Sequence, residues 1–160
     1  LPAVVGELRQ ALYPRLAPVA NGWARWLGGT TFPATLAEFL QVCEQHGQTR
    51  PTPLLLHYEA GDYNCLHQDL YGEVAFPLQV TILLNDGFEG GEFLLLEQRP
   101  RAQSRGQVVQ LELGQAVIFA TRYRPVKGLR GYYRGNFRHG VSQVLSGRRC
   151  TLGIIFHDAR

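Results

Sequence analysis

The chain contains no run of about 18 or more apolar residues, so no stretch reads as a membrane-spanning helix. Cysteine is scarce. Cys43, Cys65 and Cys150 are odd in number and share no C-x-x-C spacing, which argues against a disulfide framework and against a zinc ribbon. The simplest setting is a reducing cytoplasm. No basic-then-apolar signal segment opens the chain, and its first residue is Leu1 rather than Met, which reads as a chain that has lost some N-terminal residues. Internal repeats and low-complexity tracts are also lacking. At 160 residues a single domain with its own core is expected, spanning 1–160. The oligomeric state stays open, a monomer being compatible with everything above.

Charge of one sign is missing from one stretch and concentrated in another. Between Glu59 and Glu97 there are eight acids and no Lys or Arg, whereas Arg99 to Arg138 holds nine basic residues and the single acid Glu112. Such segregation points to a positive face that meets an anionic partner. The plainer reading is a set of solvated loops in a chain that uses Arg for nearly all of its positive charge, with Lys127 as its only lysine.

The first third of the sequence has helical texture. Val4 to Leu12 and Pro14 to Leu27 carry apolar residues at helical spacing. Thr35-Leu36-Ala37-Glu38 has the form of a capping box and predicts a helix from Leu36 to His46, stopped at Gly47. Beyond Thr52 short apolar runs alternate with Gly, Pro and Asn. Strands are expected at Leu54 to Glu59, Leu78 to Asn85, Glu92 to Glu97, Val108 to Glu112, Ala116 to Ala120, Phe137 to Val144 and Arg149 to Phe156. This is a mostly β chain with an N-terminal helical layer, its strands closed or sandwiched. Gly90-Gly91 reads simply as a tight turn. Thr121 to Arg138, rich in Arg, Gly and Tyr, shows no clear period and reads as a long functional loop.

One constellation carries chemistry. In a strand residues i and i+2 share a side, so His67 and Asp69 can face one pocket, and His139 from a distant strand completes two imidazoles and a carboxylate. That donor set is the facial triad of non-heme Fe(II) oxygenases. With five histidines an H-x-D triplet also arises by chance, and it is the context that favours a site. Arg149 opens the apolar run Cys150 to Phe156, and a guanidinium buried there calls for a carboxylate or phosphate. Alternation puts Arg149, Thr151, Gly153 and Ile155 inside, and Cys150, Leu152, Ile154 and Phe156 outward against the helices.

The arrangement Tyr58-x-x-Gly61-x-x-x-x-x-His67-Gln68-Asp69 is similar to the pattern of the AlkB-type enzymes in the Fe(II)/2-oxoglutarate-dependent dioxygenase superfamily. Further segments extend the match: Arg50 to Leu56, His67 to Glu73, Gly91-Glu92-Phe93 with Glu97 to Arg101, Arg138 to Ser142 and Gly153 to Ala159. Together they resemble a prokaryotic family of oxygenases predicted to act oxidatively on damaged DNA, over about Tyr13 to Ala159. The resemblance implies a double-stranded β-helix (jelly-roll) core at 51–160 with a helical buttress at 1–50. It implies Fe(II), 2-oxoglutarate and O2 as cofactor and cosubstrates, with His67, Asp69 and His139 as iron ligands. Arg149 would pair with the distal carboxylate of 2-oxoglutarate, and Tyr58 would help to hold it. Where AlkB-type enzymes follow this Arg with Asn and a second Arg, the chain has Thr151 and Ile155. Tyr71 stands where they place a base-contacting Asp. These departures bear on base recognition and leave the oxidation chemistry untouched.

Three functions fit this reading. The first is oxidative demethylation of alkylated nucleic-acid bases, with single-stranded or damaged nucleic acid as partner. Tyr71, Arg130, Arg134 and Arg138 are then candidate substrate contacts, and Tyr123, Tyr132, Tyr133 and Phe137 candidate stacking surfaces. The second is hydroxylation of a protein side chain or small metabolite. The third is a metal-binding β-helix without catalysis.

Overall fold

The computed structural model describes residues 1–160. Helices α1 (Ala3–Leu27) and α2 (Leu36–Gln45) precede β1 (Leu54–Glu59), β2 (Asn64–His67), β3 (Leu78–Leu83), β4 (Glu89–Gly90), β5 (Phe93–Gln98) and β6 (Arg105–Val109). They are followed by β7 (Ala116–Ala120), β8 (Tyr123–Gly128), β9 (Gly131–Val141), β10 (Val144–Ser146) and β11 (Arg148–Ile154).

The two helical stretches expected on either side of Pro14 are one helix. Pro14 and Pro18 lie on the exposed side of α1, where the carbonyls they leave unpaired reach water, while Tyr13, Leu16, Ala17, Ala20 and Ala24 form one continuous buried stripe. Packing of that stripe outweighs the cost of the prolines. Helix α2 starts at Thr35, whose capping box with Glu38 is formed from both sides. It ends at Gln45, with Gly47 at φ 73°.

One antiparallel sheet has the order β1-β11-β3-β7 and the other β2-β9-β5-β6, with β8 paired to β9 beyond the reach of β2. A two-stranded ribbon, β4 with β10, stands beside them. The two large sheets face one another: the Phe93 ring on β5 meets Phe119 on β7 at 4.7 Å. This is the mostly β, jelly-roll arrangement that was expected. The outer face of the β1-β11-β3-β7 sheet carries Leu78, Val80, Leu152 and Ile154 into a core shared with Tyr13, Phe39, Phe76 and Phe156. Burying each of these large side chains contributes roughly 1.5–3 kcal/mol. The buried Arg9 of α1 ties this layer down, donating to the carbonyls of Ile155 (3.0 Å) and Phe156 (2.7 Å) and to Asp158 Oδ1 (2.7 Å).

Two expectations need correction. The segment from Thr121 to Arg138 is not a loop but the hairpin β8–β9, whose turn is Leu129-Arg130 between the paired Gly128 and Gly131. It lacks the Asn-Gly or Asp-Gly signal of two-residue turns, and only the φ of 117° at Gly131 shows what the sequence concealed. The strand expected at Val108 to Glu112 is β6, which begins earlier and stops at Val109 because its partners on β5 run out at Phe93. No helix is long and apolar enough to cross a membrane.

Candidate functional site

His67 ends β2 and lies directly across the ladder from His139 on β9. Asp69 is already beyond the strand, so simple strand alternation does not place it. Its position comes from Gln68, whose amide donates to Asn136 Oδ1 and to the Phe137 carbonyl, each at 2.7 Å, filling the gap between β2 and β8 along the edge of β9. The three side chains converge. Asp69 Oδ1 is 3.5 Å from His67 Nε2 and Oδ2 is 3.2 Å from His139 Nε2, and all three donor groups fall within 4.8 Å of one another. A divalent ion bound about 2 Å from each donor fits such a set.

The remaining atoms of the cluster are held by other groups. His67 Nδ1 donates to the Cys65 carbonyl at 2.6 Å, and His139 Nδ1 lies 3.4 Å from the amide of Gln79. Nε2 of each ring therefore faces Asp69. Tyr71 donates to Asp69 Oδ1 at 2.7 Å. Burial alone would raise the Asp69 carboxyl, but hydrogen bonds from His139, His67 and Tyr71 hold it well below the usual carboxylate range. Its hydrogen bond raises His67, whereas burial pushes the more enclosed His139 down. The cluster is thus a carboxylate with at least one neutral imidazole, the protonation a metal requires.

Arg149, 2 % exposed, lines a cavity of about 800 Å³ together with Leu83, Gly91, Glu92 and Phe93. Its neighbour Arg148 is exposed, and Leu152, Ile154 and Phe156 pack against the helices, so the register is the one expected. Phe93 links this cavity to the cluster, its ring stacked on His139 at 5.9 Å. The guanidinium sits 5.4 Å over the Tyr58 ring, and Nη1 is buried without a hydrogen-bond partner. Burial lowers its pKa, opposed by Tyr58 and Glu92. An orphaned, buried cationic donor costs several kcal/mol, on the order of what an incoming anion would restore.

The other candidates fall elsewhere. The Tyr71 hydroxyl is engaged by Asp69. Arg138 is exposed and, one residue from the inward His139, projects from the opposite face of β9. Arg130 is at the hairpin tip, and Arg134 reaches the C-terminus of α1, donating to the Leu27 carbonyl at 3.4 Å. Arg105 lies on β6, separated from β8 by two strands. The structure therefore does not bring these arginines to the metal cluster.

Four contributors were missed. Gln68 and Gln79 carry no local pattern that marks them. Gly91 reads as a turn residue, yet a Cβ there would come within 2.7 Å of Arg149 Cδ. His157 is fully buried, and burial lowers its pKa to about 4, keeping it neutral. Its Nδ1 accepts from the Phe76 N–H at 3.2 Å, leaving Nε2–H to donate to the Asp69 carbonyl at 3.2 Å.

A family model described as an oxygenase catalysing oxidative methylation of damaged DNA matches residues 1–159. Two uncharacterized proteins of Mycobacterium tuberculosis, from strains CDC 1551 / Oshkosh and H37Rv, are each 52% identical over 163 residues, covering 99% of this chain and 70% of theirs. Among solved structures, an oxidoreductase of the 2OG-Fe(II) oxygenase family from Burkholderia pseudomallei is 19% identical with a TM-score of 0.47. That likeness covers 69% of this chain, which spans about half (48%) of the other.

Proposed function

The chain belongs to the oxygenase family whose description is oxidative methylation of damaged DNA, and on that premise we propose that it is an Fe(II)- and 2-oxoglutarate-dependent dioxygenase that demethylates alkylated nucleic-acid bases. The observation that carries this reading is the unpartnered Nη1 of the buried Arg149, in a cavity joined through Phe93 to a His-Asp-His cluster. A metal alone would leave that guanidinium unpaired; a metal with a dicarboxylate would satisfy both.

In this reading His67, Asp69 and His139 would hold Fe(II). Arg149 pairs with the distal carboxylate of 2-oxoglutarate, and Tyr58 supports the guanidinium through its ring face. Bound there, iron with 2-oxoglutarate and O2 would supply the power to hydroxylate a C–H bond while 2-oxoglutarate becomes succinate and CO2. Phe93 and Phe119, packed on the His139 ring at 5.9 and 4.7 Å, exclude water from that side. Tyr71, Gln68 and His157 fix Asp69 through its carboxylate, the preceding residue and its carbonyl. A substrate N-methyl group hydroxylated at such a centre leaves as formaldehyde, so the base loses rather than gains its methyl group.

The arginines of the β8–β9 hairpin, Arg130 and Arg134 with Arg138 beyond, supply contacts to the sugar-phosphate chain. The free thiols Cys43, Cys65 and Cys150 favour a reducing compartment, the cytoplasm. One observation favours the alternative, a hydroxylase of a protein side chain or small metabolite: the Tyr71 hydroxyl is held by Asp69 rather than offered to a base. The test is turnover with iron, 2-oxoglutarate and methylated single-stranded oligonucleotides, following succinate and formaldehyde together. Stoichiometric release of both supports demethylation. Succinate released only with peptides or metabolites overturns the substrate while leaving the dioxygenase.

A further inference from the structure

A second cavity, of about 660 Å³, lies between the helical layer, the Leu70 to Pro77 segment and the β8–β9 hairpin. Ligand sites commonly run roughly 300–1,000 Å³. Its floor is the fully buried pair Phe39 and Phe76, and half-buried Trp23, Phe32 and Val74 rise from it. An apolar cleft of this kind takes a flat, weakly polar group.

The rim decides what else the occupant carries. Arg122 and Arg134 both stand over the Tyr123 ring, at 4.5 and 5.9 Å, and both are exposed. Neither is ion-paired, the arginine–carboxylate bridges of the molecule being Arg9–Asp158 and Arg160–Glu73. The one hydrogen bond either guanidinium makes is that of Arg134 to Leu27, which leaves most of its donors free. Glu73 also lines the cleft, but Arg160 neutralises it at 2.9 Å. His46, the other titratable lining group beside Tyr123, is held by the Val42 carbonyl at 2.9 Å. The uncompensated charge at the rim is therefore positive, two forked donors side by side, which suits a phosphate.

The cleft shares its walls with the metal cluster. Leu70 and Gly72 line it and flank Tyr71, which holds Asp69. Tyr123 pairs across the hairpin with Asn136, which receives the Gln68 amide. Trp26 stacks on Tyr132 at 4.6 Å and locks the hairpin to α1, so the mouth is built rather than loose.

We propose that this cleft seats a nucleotide next to the reacting one in a single strand, its base against Trp23 and Phe32 and its phosphate between Arg122 and Arg134; the proposal rests on the nucleic-acid reading of the substrate. The cleft acts as a register point: a strand gripped here runs along the loop that carries Asp69, on the side where His67 is the least buried of the three metal-cluster residues.

Trp23 makes this testable, because the chain has only two tryptophans and Trp26→Phe leaves Trp23 as sole reporter. An unlabelled thymidine octamer titrated into that full-length variant should quench Trp23 saturably. Replacing Arg122 and Arg134 together by Ala should weaken binding about tenfold or more and reduce the log-log salt slope by roughly 0.7, the contribution of the one phosphate they share. Ala75→Phe, which narrows the cleft from the loop side, should abolish the quench with the cobalt(II) spectrum of the metal cluster and the unfolding midpoint unchanged. An octamer that binds, or a methylated octamer that is turned over, with Trp23 silent and the arginine variant unaffected would overturn the cleft and leave the nucleic-acid reading standing. Absence of binding by any single strand overturns both. Quenching by a peptide or a fatty acid in place of the octamer assigns the cleft to a different occupant and likewise overturns the proposal.

Discussion

The hydroxyl of Tyr71 donates a 2.7 Å hydrogen bond to Oδ1 of Asp69, the carboxylate that both His67 and His139 face. A residue two positions along the chain thus occupies a lone pair of the central donor. The bond orients the carboxylate before any metal arrives, and burial with the Asp69 charge keeps the phenol protonated. Tyr71→Phe should weaken divalent metal affinity about tenfold, as is usual when a partner of a metal ligand is removed. A cobalt(II) titration measures it. Unchanged affinity would mean that Tyr71 is free to serve a substrate after all.

The cavity proposed to hold 2-oxoglutarate makes a separable prediction. Arg149→Ala should abolish saturable 2-oxoglutarate binding while metal affinity stays within a few fold. Gly91→Ala should do part of the same without removing the guanidinium, since its Cβ would press within 2.7 Å of Arg149 Cδ at a residue whose φ is 65°. Isothermal titration of 2-oxoglutarate into the metal-loaded protein reads both. Normal affinity in the Arg149 variant would remove this residue from the pocket.

Much of this arrangement is legible in the chain. The apolar run after Arg149 has to alternate, so one buried cation and one helix-facing stripe follow from the pleat alone. The capping box at Thr35 is equally local. What the sequence conceals depends on contacts between distant residues. Gln68 gains meaning only because β2 and β8 meet different ends of β9, and His157 only because its ring lies against the Asp69 carbonyl 88 residues away. Pro14 misleads because propensity is local, whereas the stripe that keeps α1 continuous is a tertiary fact. The hairpin at 123–141 is hidden by a turn with no standard signal and by strands whose outward residues are Arg rather than a polar–apolar alternation.

Arg9 tests how the helical layer is fastened. Its guanidinium and the Asp158 carboxylate are both largely withdrawn from water, with side chains 3% and 11% exposed. Arg9→Leu leaves that carboxylate buried and unpaired and should cost about 3–5 kcal/mol of unfolding free energy. Adding Asp158→Leu should recover a large part of it, because a buried pair can often be replaced by apolar groups at little cost. Urea unfolding of the two single variants and the double variant gives the coupling. Additive losses would show that the carbonyls of Ile155 and Phe156, and not Asp158, are what Arg9 serves.

The basic segment divides by geometry into two groups that charge counting merges. Arg105 lies on β6 and Arg134 on β9, and in the order β9-β5-β6 two strand spacings of about 4.8 Å, roughly 10 Å, separate their strands. That exceeds the screening length of about 8 Å at physiological salt. Each group would therefore act on its own part of the proposed anionic partner. A strand that enters beside His67 should meet the hairpin and pass clear of β6. Arg134→Ala should lower the salt slope of single-stranded DNA binding by up to roughly 0.7, the contribution of the phosphate it shares with Arg122, while Arg105→Ala leaves it unchanged. Arg138→Ala reads a third position, four residues along β9 from Arg134 and on the same face of the strand. Fluorescence anisotropy of a labelled octamer at several salt concentrations resolves the three slopes. An equal fall in all three would mean that the partner wraps the sheet rather than following the hairpin, and the entry path would have to be redrawn.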